Sequence, residues 1–139
     1  MTKEVFITIK GSQLGAEDNN LIVTKTKGVY LHRNKKHYLQ YEETEEGGKG
    51  KIKNIIKFTS GQLDMIKNGS SKTHMIFDLK EDTTSLYHTS YGSLHLQIHT
   101  TTLKIKEEEN EIRILLLYTL SSNQVPLSDN QIQIVVKAI

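Results

Sequence analysis

Along most of the chain, apolar and polar residues change places at every step, the period-two pattern of strands whose alternate side chains face opposite sides of a sheet. Val5, Ile7 and Ile9 alternate with Phe6, Thr8 and Lys10, and the stretch from Gly15 to Asn20 has turn composition. A second strand is predicted from about Leu21 to Tyr30. The basic run His32-Arg33-Asn34-Lys35-Lys36 then joins it to His37 through Glu42 as a hairpin with a charged tip. After a glycine-rich acidic loop from Glu42 to Gly50, Ile52, Ile56 and Phe58 share one face and Lys51, Lys53 and Lys57 the other, a half-buried strand with a lysine-covered outer side.

Ser60-Gly61 turns the chain, Leu63 and Met65 continue the apolar face, and Asn68-Gly69 predicts a type I′ hairpin turn into Thr73, Met75, Phe77 and Leu79. A short strand around Leu86 to Thr89 is followed by a bend or bulge at Ser90-Tyr91-Gly92. Leu94, Leu96 and Ile98 then alternate with His95, Gln97 and His99 and run on through three threonines. Ile112 to Leu120 is the most apolar run, predicted as a strand covered on both faces. Pro126 is placed in a loop, and Ile132, Ile134 and Val136 form the last strand. No window of helical length carries a 3.6-residue stripe. About nine or ten short strands joined by tight turns predict an all-β, antiparallel up-and-down β-barrel rather than βαβ units.

Size and composition fit that picture. A chain of 139 residues makes one domain spanning residues 1–139, and with no Trp its core is built from Ile, Leu and Val. Sixteen lysines and two arginines, Arg33 and Arg113, face sixteen acids scattered among them, so the net charge of +2 gives no phosphate-binding patch and nucleic acid is not an expected partner. Without cysteine there is neither a disulfide framework nor a thiolate zinc site. Lys3 and Glu4 precede a run of five residues that already contains Thr8. No secretory segment or membrane partner is therefore expected, and the cytoplasm is the expected compartment. Abundant Lys, Ile and Asn with scarce Arg suit an AT-rich bacterial genome.

Several landmarks fall in a characteristic order: Gly28-Val29-Tyr30, Tyr38-Leu39-Gln40-Tyr41-Glu42-Glu43, Ile55-Ile56-Lys57, Asn68-Gly69, Met75-Ile76-Phe77, Tyr87-His88-Thr89-Ser90-Tyr91-Gly92, Thr100 and Leu116 to Tyr118. In these the chain resembles the small bacterial family of unknown function typified by YwiB. That resemblance implies a lipocalin-like (calycin) barrel and supplies no activity or catalytic residues. Lys67 departs from the arginine the family tends to carry before Asn68-Gly69, and lysine would hold an anion there less specifically than a forked guanidinium. The Gly-x-Trp signature of true lipocalins is absent, so their secreted-carrier role is not implied.

Candidate chemistry is sparse. His95 and His99 lie roughly 13 Å apart along one strand face, too far to share an ion, and a site would need His74 or His88 from a neighbouring strand. No metal or other cofactor is expected. The clusters Glu42-Glu43, Glu45-Glu46 and Glu107-Glu108-Glu109 fall in loops, where carboxylates are solvated rather than set apart in pKa for acid–base work. No catalytic residue is assigned. The tyrosines are more informative. Tyr41, Tyr87, Tyr91 and Tyr118, with Glu42 at a strand end and Arg113, are the candidate ligand-binding residues of a barrel interior; the plainer reading is that the rings simply fill the core. Three functions stay open: a module binding a small molecule, an interaction domain that pairs with a partner or forms a homodimer, and an enzyme with a site at the barrel mouth.

Overall fold

Ten strands follow one another along the chain: β1 Thr2–Leu14, β2 Ile22–Arg33, β3 Lys36–Thr44, β4 Lys51–Phe58, β5 Gln62–Asn68, β6 Lys72–Asp78, β7 Thr83–Thr89, β8 Gly92–Glu107, β9 Glu111–Ser122 and β10 Val125–Ala138. The computed structural model describes residues 2–14, 21–45, 50–70, 72–89 and 92–139, with the backbone alone at 2 and 87–89. All pairings are antiparallel, and the order across the sheet is β6-β5-β4-β3-β2-β1-β10-β9-β8-β7. The chain is thus a meander in which β10 returns to pair with β1. It rolls into the nearly closed up-and-down β-barrel that the alternation predicts.

The sheet meets itself between β6 and β7. There the junction is made by side chains: the Thr83 hydroxyl donates to the Ile76 carbonyl, and Ser85 Oγ to the His74 carbonyl at 2.9 Å. These hydroxyls cover backbone acceptors that an open sheet edge would leave to solvent or to another chain.

Val5, Ile7, Leu39, Ile56, Phe58, Leu63, Phe77, Ile98, Leu116 and Ile134 are buried inside. Each such side chain contributes roughly 1.5–3 kcal/mol relative to exposure. In β8 the inward positions pass from Ile98 and Thr100 to Leu103 and Ile105, a change of parity made possible by a register shift between Thr100 and Thr102. The bulge keeps one strand apolar-side-in along its length and bends it around the barrel. Along β9, Ile112, Ile114 and Leu116 point inward and are buried while Arg113 is exposed. The strand is therefore one-faced at this end, not covered on both faces.

The charged hairpin tip lies where the sequence reading put it, and the turn at Asn68-Gly69 and the place of Pro126 differ from that reading. Asn34-Lys35 and Asn123-Gln124 have positive φ and join β2 to β3 and β9 to β10, the geometry of two-residue type I′ hairpins. Asn68-Gly69 does not: Asn68 still pairs with Lys72, and Gly69 is not among the positive-φ residues. Pro126 also lies within β10 rather than in a loop, beside the register shift between Pro126 and Ser128, where an absent amide proton interrupts no regular ladder.

Candidate functional site

The β2–β3 ladder is short. It runs from Arg33 opposite Lys36 to Val29 opposite Gln40 and stops, although β3 continues to pair with β4 as far as Thr44 opposite Lys51. Where β2 and β3 part, a cleft of about 610 Å³ opens, lined by Lys27, Gly28, Val29, Gln40, Tyr41, Glu42, Lys53, Asn54 and Ile55. Alternation sorts these residues. Gly28, Tyr41 and Asn54 hold inward positions, and Lys27, Glu42 and Lys53 hold the exposed rim.

Gly28 lies at the edge of the cleft, close against β3 just past the end of the ladder. A Cβ there would come within 2.5 Å of the Gln40 carbonyl oxygen, 2.7 Å of Ile7 Cδ1 and 3.3 Å of Tyr41 Cβ. The glycine lets Tyr41 lie close to β2. Burial, reinforced by the nearby Glu43 carboxylate, pushes the Tyr41 phenol well above its ordinary value of 10.0.

Asn54 is only 2% exposed and stands opposite Tyr41 in the ladder. Its Nδ2 donates to Glu43 Oε1 at 2.8 Å, and the same Glu43 oxygen lies 3.8 Å from Lys67 Nζ. Its Oδ1 is buried and has no hydrogen-bond partner among the described residues, a condition shared only with Thr100 Oγ1. Thr100 stands opposite Tyr118, whose ring meets Phe77 edge-on at 4.7 Å and whose phenol is also pushed up by burial. Tyr118, with Asn130 and Ser12, borders a separate opening of about 690 Å³ among β1, β9 and β10.

The candidate residues do not form one cluster. Tyr41 and Glu42 share the cleft, Glu42 on its outer rim within 3.6 Å of Lys51 Nζ. Tyr118 borders the other opening. Arg113 is outside the barrel, bound through Nε to Glu111 Oε2 at 2.7 Å, because its neighbours Ile112 and Ile114 take the inward positions. Tyr91 and the side chain of Tyr87 lie outside the described residues.

Sequence reasoning missed Asn54, although it interrupts the inward series Ile52, Ile56, Phe58 with a polar residue. It also missed a second cluster at the opposite end of the barrel. His32 and His37 face each other in the β2–β3 hairpin, with rings stacked at 4.2 Å and 6°, and His37 stacks in turn on Phe58 at 4.6 Å. The Tyr30 hydroxyl lies 2.6 Å from His37 Nδ1, and Glu107 Oε2 lies 4.0 Å from His37 Nε2. Burial lowers the His37 pKa below 6.5; His32 adds to that effect and Glu107 opposes it. Two further described imidazoles make exposed pairs, His74 with Asp64 at 2.8 Å and His99 with Asp82 at 2.7 Å, and His95 is exposed.

Comparison with known proteins agrees with this architecture. The uncharacterized β-barrel protein YwiB of Bacillus subtilis (strain 168) is 30% identical over 122 residues, covering 86% of this chain and 84% of its own. The crystal structure of the B. subtilis YwiB protein superposes with a TM-score of 0.83 at 22% identity, over 99% of this chain and 93% of that one. Residues 7–134 match the family described as a domain of unknown function, DUF1934. The chain therefore belongs to the DUF1934 family of β-barrel proteins.

Proposed function

We propose that the protein is a cytoplasmic, non-catalytic module that binds a small amphipathic molecule in the cleft between β2 and β3. The observation that carries this reading is the buried, unpartnered Oδ1 of Asn54 beside that cleft. A polar atom buried without a partner costs about 1–3 kcal/mol, and a ligand N–H or O–H group that entered past the Asn54 side chain's cover and reached Oδ1 would remove that cost. The rest of the lining suits such a guest. The Tyr41 ring offers an apolar wall, and Lys27, Lys53 and Glu42 stand at the solvent edge for a polar or charged end. The cleft volume lies within the roughly 300–1,000 Å³ usual for small-molecule sites.

Native mass spectrometry of untagged protein purified from its own host tests the reading. A stoichiometric adduct that is released on unfolding, and that is missing from Asn54→Leu, is the expected result. An adduct-free wild-type spectrum, together with no thermal shift from any member of a metabolite library, would refute it.

A further inference from the structure

The stacked rings at the other end of the barrel form a second site, independent of the cleft. We propose that His32, His37 and Glu107 bind a divalent transition-metal ion of the zinc class.

The argument begins with the hairpin. A two-residue turn at Asn34-Lys35 sets His32 directly opposite His37, so two imidazoles that are five residues apart in sequence become cross-strand neighbours on the inward face. Glu107 arrives from the end of β8. One ligand atom from each of the three lies within 4.8 Å of the others. Zinc bonded to nitrogen and oxygen at about 2.0–2.2 Å brings ligand atoms closer than this, and the two exposed members, His32 and Glu107, are the ones that shift to meet it. His32 does so by turning off the face of His37. Glu107, with its side chain 54% exposed, needs only a rotamer change to shorten its 4.0 Å approach to Nε2.

His37 is the fixed member. It is 9% exposed and flanked by Phe58, and its Nδ1 is engaged by the Tyr30 hydroxyl, which leaves Nε2 as the nitrogen directed toward Glu107. A histidine ligand held through its second nitrogen by an oxygen of the protein is the usual support for a metal site: the contact fixes the ring direction, and with Nδ1–H donating to the Tyr30 oxygen, Nε2 is the nitrogen left for the ion. Two imidazoles and a carboxylate favour zinc, cobalt, nickel or copper over magnesium or calcium, which prefer all-oxygen shells. Three protein ligands leave a fourth position for water.

The test uses untagged full-length protein near neutral pH, titrated with Zn²⁺ by calorimetry and with Co²⁺ by visible absorption. One equivalent of each ion is expected to bind, Co²⁺ with the intense bands of a four-coordinate site. His32→Ala and Glu107→Gln change exposed residues and leave the apo fold intact by thermal scan. Each is expected to weaken binding by at least about 10-fold, as is Tyr30→Phe through His37, whereas His99→Ala leaves it unchanged. Absence of Zn²⁺ binding to the wild type would overturn the proposal. So would undiminished affinity in both His32→Ala and Glu107→Gln, and an equal loss in His99→Ala would move the ion to the His99–Asp82 pair and likewise end it.

Discussion

Ser85 Oγ donates to the His74 carbonyl oxygen at 2.9 Å across the seam between β6 and β7, a side chain standing in for a rung of the sheet. Ser85 is only 5% exposed, so its loss removes a part-buried hydrogen bond from the seam. Ser85→Ala is expected to destabilise the fold by about 1–2 kcal/mol in urea unfolding. Faster amide exchange in β6 and β7 than in β9 and β10 would show that the barrel opens at this seam. A uniform change across all strands would show that the seam is not the weak line.

Gly28→Ala sets two effects against each other. Gly28 is not a positive-φ residue, so alanine suits its backbone, and the stiffer unfolded chain contributes about 0.4–1 kcal/mol in its favour. Against this, the new methyl would sit 2.5 Å from the Gln40 carbonyl oxygen, a backbone atom that moves only if β3 moves. Overpacking of this kind costs about 1–3 kcal/mol and wins. A lower urea midpoint is the expected outcome, and an unchanged or higher one would mean that the strands separate freely at the cleft.

The strands were legible in the sequence because alternation is a local signal and the inward faces of strands such as β1, β4 and β9 are dominated by Ile, Leu, Val or Phe. The positions that matter for function were not, for reasons that differ. Asn54 was visible as a polar residue in the stripe Ile52, Ile56, Phe58, but the stripe could be read without it. His32 and His37 meet only through the register of their hairpin, whereas metal-ligand spacing was sought around His95 and His99, which are too far apart along one strand and for which no sequence feature places His74 or His88 alongside. Glu107 reaches them because the barrel closes, which no local pattern records. Arg113 was placed inside because the apolar run around it hid which residues of β9 alternate inward.

Turn chemistry misled in the opposite direction: Asn68-Gly69 carries the strongest type I′ signature, yet the positive-φ pairs are Asn34-Lys35 and Asn123-Gln124. Gln124 holds φ 66 with a full side chain, which costs about 1–2 kcal/mol. Glycine at that position removes the steric cost while adding about 0.5–1 kcal/mol of unfolded-chain entropy. Gln124→Gly is therefore expected to stabilise the protein by about 0.5 kcal/mol, read as a higher melting temperature. A decrease would mean that the Gln124 side chain makes a compensating contact.

Alkaline pH acts on the buried tyrosines. Tyr41 and Tyr118 are held un-ionised in the folded state above the ordinary value of 10.0, whereas in the unfolded chain they ionise near it. The unfolded state thus binds fewer protons above pH 10, and stability falls as pH rises there; below pH 10 this contribution is fully present. Each tyrosine removes at most about 1.4 kcal/mol per pH unit. Urea midpoints measured through this range should drop less steeply in Tyr41→Phe than in the wild type, and parallel slopes would show that Tyr41 ionises freely in the fold.

Asn54→Leu separates stability from function. Leucine shares asparagine's branched side-chain shape though its methyls are bulkier, removes the buried unpartnered Oδ1 and adds apolar contact with a core that already holds Ile56 and Tyr41. What it loses is the Nδ2 bond to Glu43, but Glu43 keeps Lys67 as a neighbour and a third of its side chain reaches solvent. Relief of an orphaned acceptor, about 1–3 kcal/mol, is set against a charge-assisted hydrogen bond worth about 1.5–3 kcal/mol, most of which Glu43 recovers from water and from Lys67. The variant is therefore expected to unfold at higher urea by about 1 kcal/mol while losing its adduct in native mass spectra. A residue retained at a cost to stability, and essential for the adduct, is what a binding group looks like. If Asn54→Leu were instead less stable than the wild type, Asn54 would be a structural strut between β4 and Glu43, and the cleft would lose the polar anchor assigned to it.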